Sequence, residues 1–109
     1  MKLAIIGSRH CPPVNIEEHL PFAPTAIVSG GAVGADSHAK HYAIRNNIPI
    51  VEFLPDYKEY GRKAPILRNI KIVENCDFVL AFWDGTSHGT KFTLDYATKK
   101  GVPCKIVRI

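Results

Sequence analysis

The sequence predicts an α/β domain: a Rossmann-like parallel sheet of about five strands, sandwiched in three layers between helices on both faces. Three observations carry this. Strand and helix signals alternate from end to end, which is the pattern of repeated strand–helix–strand units. The strand candidates are nearly continuous apolar runs, as in Phe78-Val79-Leu80-Ala81-Phe82-Trp83, and such runs suit strands covered on both faces. Glycine-rich turns follow three of the strands, where open α/β sheets bind their ligands. A chain of 109 residues fits one domain, spanning 1–109.

Lys2–Gly7 is an apolar, β-rich run stopped by glycine. Val14–Leu20 reads as a short helix after Pro12-Pro13, ended by Pro21 and Pro24. Ala26–Ser29 is a second strand, stopped by Gly30-Gly31. Val33–Asn46 reads as a helix because Ala35, Ala39, Tyr42, Ala43 and Asn46 recur at close to the helical period. Pro49–Leu54 is a third strand, and Pro55–Lys63 is an irregular polar stretch that serves as a ligand-covering loop or as a plain connector. Ala64–Asn75 is a helix with Ile66, Ile70 and Val73 on one stripe. Asp77–Trp83 is a fourth strand. Gly89–Lys100 is a last helix closed by Gly101, and Val102–Ile109 is a fifth strand. Right-handed crossovers restrict how these strands are ordered.

Composition narrows the class further. Apolar residues make up 46% and charged residues 22%, an ordinary globular balance. No apolar run approaches the ~18 residues needed to cross a bilayer. The N-terminal run is too short for a signal peptide, so the expected location is the cytoplasm. Cys11, Cys76 and Cys104 are odd in number and widely spaced, which fits reduced, mostly buried thiols. The formal charge of +4 is scattered, with tight groups only at Arg62-Lys63 and Lys99-Lys100. A nucleic-acid partner is therefore disfavoured, while a small anionic ligand remains well matched.

Three strand ends share one design. Gly7-Ser8-Arg9 follows the first strand. Ser29-Gly30-Gly31-Ala32-Val33-Gly34-Ala35-Asp36 follows the second. Trp83 ends the fourth, followed by Asp84-Gly85-Thr86-Ser87-His88-Gly89-Thr90. Glycines permit close backbone approach to a ligand, and helix starts present N–H groups and a favourable dipole to anions. Ser29, Ser87 and Thr90 can donate to phosphate oxygens, and Arg9 can make a bidentate contact. A single loop of this kind is often a structural turn; three on one sheet edge favour phosphate or ribose binding. Neither the G-x-G-x-x-G dinucleotide fingerprint nor a phosphate-binding GxxxxGK[ST] loop is present, which disfavours hydride transfer and ATP hydrolysis of the usual kinds.

These residues resemble a known family. The chain is similar to the SLOG superfamily, which includes the LOG cytokinin-activating hydrolases and the DprA Rossmann core. It most resembles the small YspA-type proteins, with their G-S-R start, v-x-G-G-A-x-G-A-D segment, Y-G-x-x-A-x-x-x-R-N segment and F-W-D-G-x-S-x-G-T segment. Here these fall on Gly7–Arg9, Val28–Asp36, Tyr60–Asn69 and Phe82–Thr90, nearly the whole chain in order. The resemblance implies a nucleotide-derived ligand and adds Arg68 and Asn69 to the candidate ligand contacts. It also implies where a LOG-type hydrolase would carry its catalytic glutamate, and that position is Thr93. A threonine cannot act as a carboxylate base. The prolyl-glycyl start of the motif is replaced as well, by Asp84-Gly85.

No catalytic residue is assigned; Arg68 and Asp84 are the candidates. Asp84 is as well suited to accept a ribose hydroxyl as to act as a base. Asp36 lies near a helix start, where capping is the commoner role. Arg68 lies off the Ile66/Ile70/Val73 stripe, so it is either a solvated arginine or a phosphate contact. His88 faces ligand or solvent, and Trp83 stacks on a base or packs in the core. Tyr57 and Tyr60 are candidates for the wall of a base pocket. His38 and His41 lack a third strong ligand, so no metal site is expected. The expected function is binding or sensing of a phosphorylated NAD- or ADP-ribose-like ligand, with no required cofactor. The alternatives are nucleotide N-glycosidic cleavage or transfer and DprA-like nucleic-acid binding. SLOG relatives commonly form dimers, which makes a homo-oligomer an expectation here too.

Overall fold

The computed structural model describes residues 1–109. Its strands are β1 (Lys2–Gly7), β2 (Ala26–Ser29), β3 (Ile50–Glu52), β4 (Phe78–Trp83) and β5 (Cys104–Arg108). Its helices are α1 (Ala35–Arg45), α2 (Tyr57–Tyr60), α3 (Ala64–Glu74) and α4 (His88–Lys99). All five strands are parallel, in the order β3-β2-β1-β4-β5. This is the predicted three-layer α/β sheet.

Side chains alternate across the central strands and so feed two cores. Leu3 and Ile5 of β1 and Leu80 and Phe82 of β4 face one layer, with Ala35, Ala39, Tyr42 and Ala43 of α1. Ala4 and Ile6, with Val79 and Ala81, face the other, against Ile72 and Val73 of α3 and Leu94 and Ala97 of α4. Burial of both faces is why β1 and β4 read as unbroken apolar runs. The α1 periodicity read from the sequence matches the residues that α1 buries.

Two connections differ from expectation. The segment Val14–Leu20 contains only a single 3₁₀ turn, Ile16–His19, with Asn15 accepting the Glu17 N–H. Prolines on both sides leave too few residues to nucleate an α-helix. The segment still covers the sheet: Ile16 is buried, His19 packs edge-on to Phe82 at 5.7 Å, and Phe22 does the same to Phe78 at 5.8 Å. The stretch Pro55–Lys63 is not irregular throughout. It holds α2, whose start is capped by Asp56 accepting the Glu59 N–H, and a 3₁₀ turn over Gly61–Lys63.

The stripe on α3 is also rotated from the one expected. Ala64, Ile72 and Val73 are buried, whereas Ile66 is 45% exposed. The inward positions run Ala64, Arg68, Ile72, so Arg68 lies on the buried stripe rather than off it. An arginine holds such a position when its apolar stem packs and its head finds partners. Helix α1 starts at Ala35, after Gly34 at φ +78°, and leaves Val33 exposed. Cys11, Cys76 and Cys104 are free thiols, with Cys11 buried and the other two half-buried. No helix is long and apolar enough to cross a membrane.

Candidate functional site

The strand order places β1 beside β4. The chain leaving β1 packs on the same face as α1, while α4, after β4, packs on the opposite face. Such a reversal opens a crevice at the carboxyl ends of the two strands. A cleft of about 370 Å³ lies there, bordered by Ser8, Arg9, Asp36, Arg68, Asn69, Ser87, Gly89 and Thr90. All eight were candidate contacts on sequence grounds. They come from four separate segments that only the sheet brings together.

Arg68 crosses the floor between α3 and the β2 loop. Its Nη1 donates to the Gly30 carbonyl at 2.6 Å and its Nε donates to Asn69 Oδ1 at 2.8 Å. The second bond settles the Asn69 amide: Oδ1 is taken, so Nδ2 is free to donate, and it lies near Gly89. A Cβ on Gly30 would run into the Arg68 guanidinium and come within 3.0 Å of Asp36 Oδ2. Glycine is therefore needed here to seat the arginine, whether or not a ligand also approaches. Burial lowers the proton affinity of Arg68, and neighbouring Asp36 opposes that shift.

Asp36 does not cap α1. Gly34 occupies the cap position, and the Asp36 carboxyl reaches back to accept the Ala32 N–H at 3.1 Å. Burial raises the Asp36 carboxyl above the usual range, against the Ala32 hydrogen bond and the Arg68 charge. Ser29 is fully buried beside it, and its hydroxyl has no partner at hydrogen-bonding geometry.

The β4 loop is tied down by Asp84. Its carboxylate accepts the N–H groups of Thr86 and Ser87, both at 2.8 Å, and the Ser87 hydroxyl at 2.9 Å. Those donors hold the carboxyl well below the usual carboxylate range. So weak a base is poorly suited to proton abstraction, and Asp84 does not border the cleft. Ser8 and Ser87 hydroxyls are 2.9 Å apart, and the Asp84 N–H donates to Ser8 Oγ at 3.2 Å. Trp83 packs against the α3/α4 core and donates Nε1–H to the Ser87 carbonyl at 3.1 Å. Its indole is a structural tie, and it does not border the cleft.

Helix α4 points its start into the same space. Ser87 is the residue before its first turn, and no side chain caps the amides that follow. Gly89 and Thr90 border the cleft, and amides in a first turn lack intrahelical partners. Thr93 lies one turn further along, 1% exposed, and donates its hydroxyl to the Gly89 carbonyl at 2.9 Å.

Other candidates stand outside the cleft. His88 is exposed, Gly85 packs beside the Arg108 guanidinium, and Gly31 packs against Leu54. Tyr57 and Tyr60 are 56% and 45% exposed on α2 and form no wall of it. His38 Nε2 lies 3.1 Å from the Cys11 carbonyl, a structural contact. The cleft also includes His10, Pro65 and Ile72, which sequence reasoning did not select. Pro65 and Ile72 stand three before and four after Arg68, on the same helix face. Placing Arg68 on the correct stripe would have found them.

The chain is similar to Gene 61 protein of Mycobacterium phage D29, 39% identical over 83 residues. The match covers 71% of this chain and 66% of the relative, so the chain spans slightly less than two thirds of that protein. No family model and no solved structure matches the chain.

Proposed function

We propose that the chain binds a nucleotide-derived, phosphorylated ligand of the NAD or ADP-ribose type in the cleft between β1 and β4. One observation carries this reading. The uncapped start of α4 at Gly89 and Thr90 opens beside the Asn69 amide and the anchored Arg68 guanidinium, so convergent donors and positive charge face one cavity. Such an arrangement favours an anion by both hydrogen bonding and the helix dipole. Exposed Arg9 adds a second cation at the rim. The volume lies within the usual range for small-ligand sites.

Binding without cleavage is favoured because Thr93 brings no carboxylate to the floor and Asp84 is committed to its own loop. N-glycosidic cleavage is the second reading, and Asp36 supports it as the one carboxyl bordering the cleft. A homo-oligomer built of such sites in the cytoplasm is consistent with the same proposal.

Thermal-shift measurements with NAD, ADP-ribose, AMP and other nucleoside monophosphates, followed by chromatography of each mixture, test both readings. Stabilisation with intact ligand supports binding, and release of free base supports cleavage. No shift with any of them overturns the proposal. Arg68→Ala should lose about 10-fold or more in affinity, as expected for a charged hydrogen bond to phosphate.

A further inference from the structure

Donors in the cleft are matched by a second set of groups, Ser87 and ionised Asp36, that present acceptors to it. Ser87 is the key residue. Its hydroxyl donates to Asp84 Oδ2 at 2.9 Å, and an ionised carboxylate cannot return a proton. The Ser87 proton is therefore committed, and the 2.9 Å contact with Ser8 must have Ser8 as donor. Ser8, 2% exposed, also accepts the Asp84 N–H at 3.2 Å, which holds the relay in one direction. Half-buried Ser87 is left with a lone pair and no proton for a ligand. This corrects the expectation that Ser87 donates to phosphate. Across β1, Asp36 accepts the Ala32 N–H with Oδ2 and borders the cleft, beside an Arg68 charge that favours its ionised, acceptor-only form. The buried Ser29 hydroxyl, which has no other partner, adds a donor on the protein side of that carboxyl.

A phosphate oxygen placed against Ser87 or Asp36 would meet acceptor with acceptor. The part of the ligand lying there must carry O–H or N–H hydrogens. In a phosphorylated nucleotide the donors closest to the phosphate are the sugar hydroxyls. Building on the nucleotide reading, we infer that Ser87 and Asp36 read the ribose hydroxyls of the ligand, so that the site selects ribonucleotides over their deoxy counterparts. Ser8 acts as a positioning residue by fixing the direction of the Ser87 hydroxyl.

Titration calorimetry of the unmodified chain with AMP, 2′-deoxy-AMP, 3′-deoxy-AMP, 2′,3′-dideoxy-AMP and inorganic phosphate tests this. AMP should bind at least about 10-fold more tightly than the dideoxy analogue, the loss expected when buried acceptors go unpaired. The two monodeoxy compounds show which hydroxyl is read. In Ser87→Ala and Asp36→Asn that ratio should fall toward one. Equal binding of AMP and dideoxy-AMP, or tighter binding of the latter, overturns the inference and leaves the nucleotide reading standing. No binding of any of the five removes both. The ligand series on the unmodified chain decides the matter even if a variant fails to fold.

Discussion

Asp84 shows how one side chain can look catalytic and serve a different purpose. It ends a strand at the sheet edge where ligands bind, yet its oxygens accept from Thr86 and Ser87 of its own loop. Those donors hold its carboxyl in the folded state below the ordinary value of 3.8. The stabilisation it gives is therefore fully present above that pH and is lost as pH falls through the lower folded value. Asp84→Asn should melt below the unmodified chain at pH 7, and the gap should narrow below about pH 4, where the unfolded chain's carboxyl takes up a proton that the native one still refuses. Melting curves across pH 2–7 check this; a gap that stays constant with pH would contradict it. The sequence identified Asp84 as important but not as a loop tie, because its partners are backbone amides that no residue pattern reveals. Arg68 was misplaced for a related reason. A stripe chosen by apolar residues alone passes over an arginine whose half-buried head bonds the Gly30 carbonyl, 38 residues away.

At the scale of elements, sequence and structure agree best where packing dictates the pattern. The runs of β1 and β4 and the period of α1 follow from what each must bury, and their bounds moved by only a residue or two. Agreement fails in the connections. There prolines limit Val14–Leu20 to one 3₁₀ turn, and local caps build α2 from a polar stretch. The start of α1 depends on Gly34, at φ +78° and ψ −127°, where a Cβ would strike the Ser8 and Arg9 carbonyls. Backbone of this kind is open to glycine alone, at a cost of roughly 1–3 kcal/mol for other residues. Gly34→Ala should lower unfolding free energy by at least that amount in urea titration. It should also weaken ligand binding, because the clash falls on the two residues that lead into the cleft.

For the molecule as a whole, the two cores lie on opposite sides of one sheet, and each has its own thiols. Cys11 belongs to the α1 side, while Cys76 and Cys104 pack on the α3/α4 side. Burial raises all three thiols, Cys76 to about 11, which keeps the reactive thiolate scarce. Labelling by a thiol reagent should be slow in the native state. If the sheet unfolds as one unit, all three should become reactive at the same urea concentration. Earlier labelling of Cys11 would instead show that the layer built on a 3₁₀ turn opens separately.

Trp83 is the only tryptophan in the chain, and its indole N–H is bonded to the carbonyl of Ser87. The protein thus carries an intrinsic fluorophore wired to the loop that starts α4. Any molecule that pulls on that loop must alter the polarity or hydrogen bonding felt by the indole. Emission from an unlabelled sample should then follow occupancy of the cleft in real time, and give association and release rates without a dye.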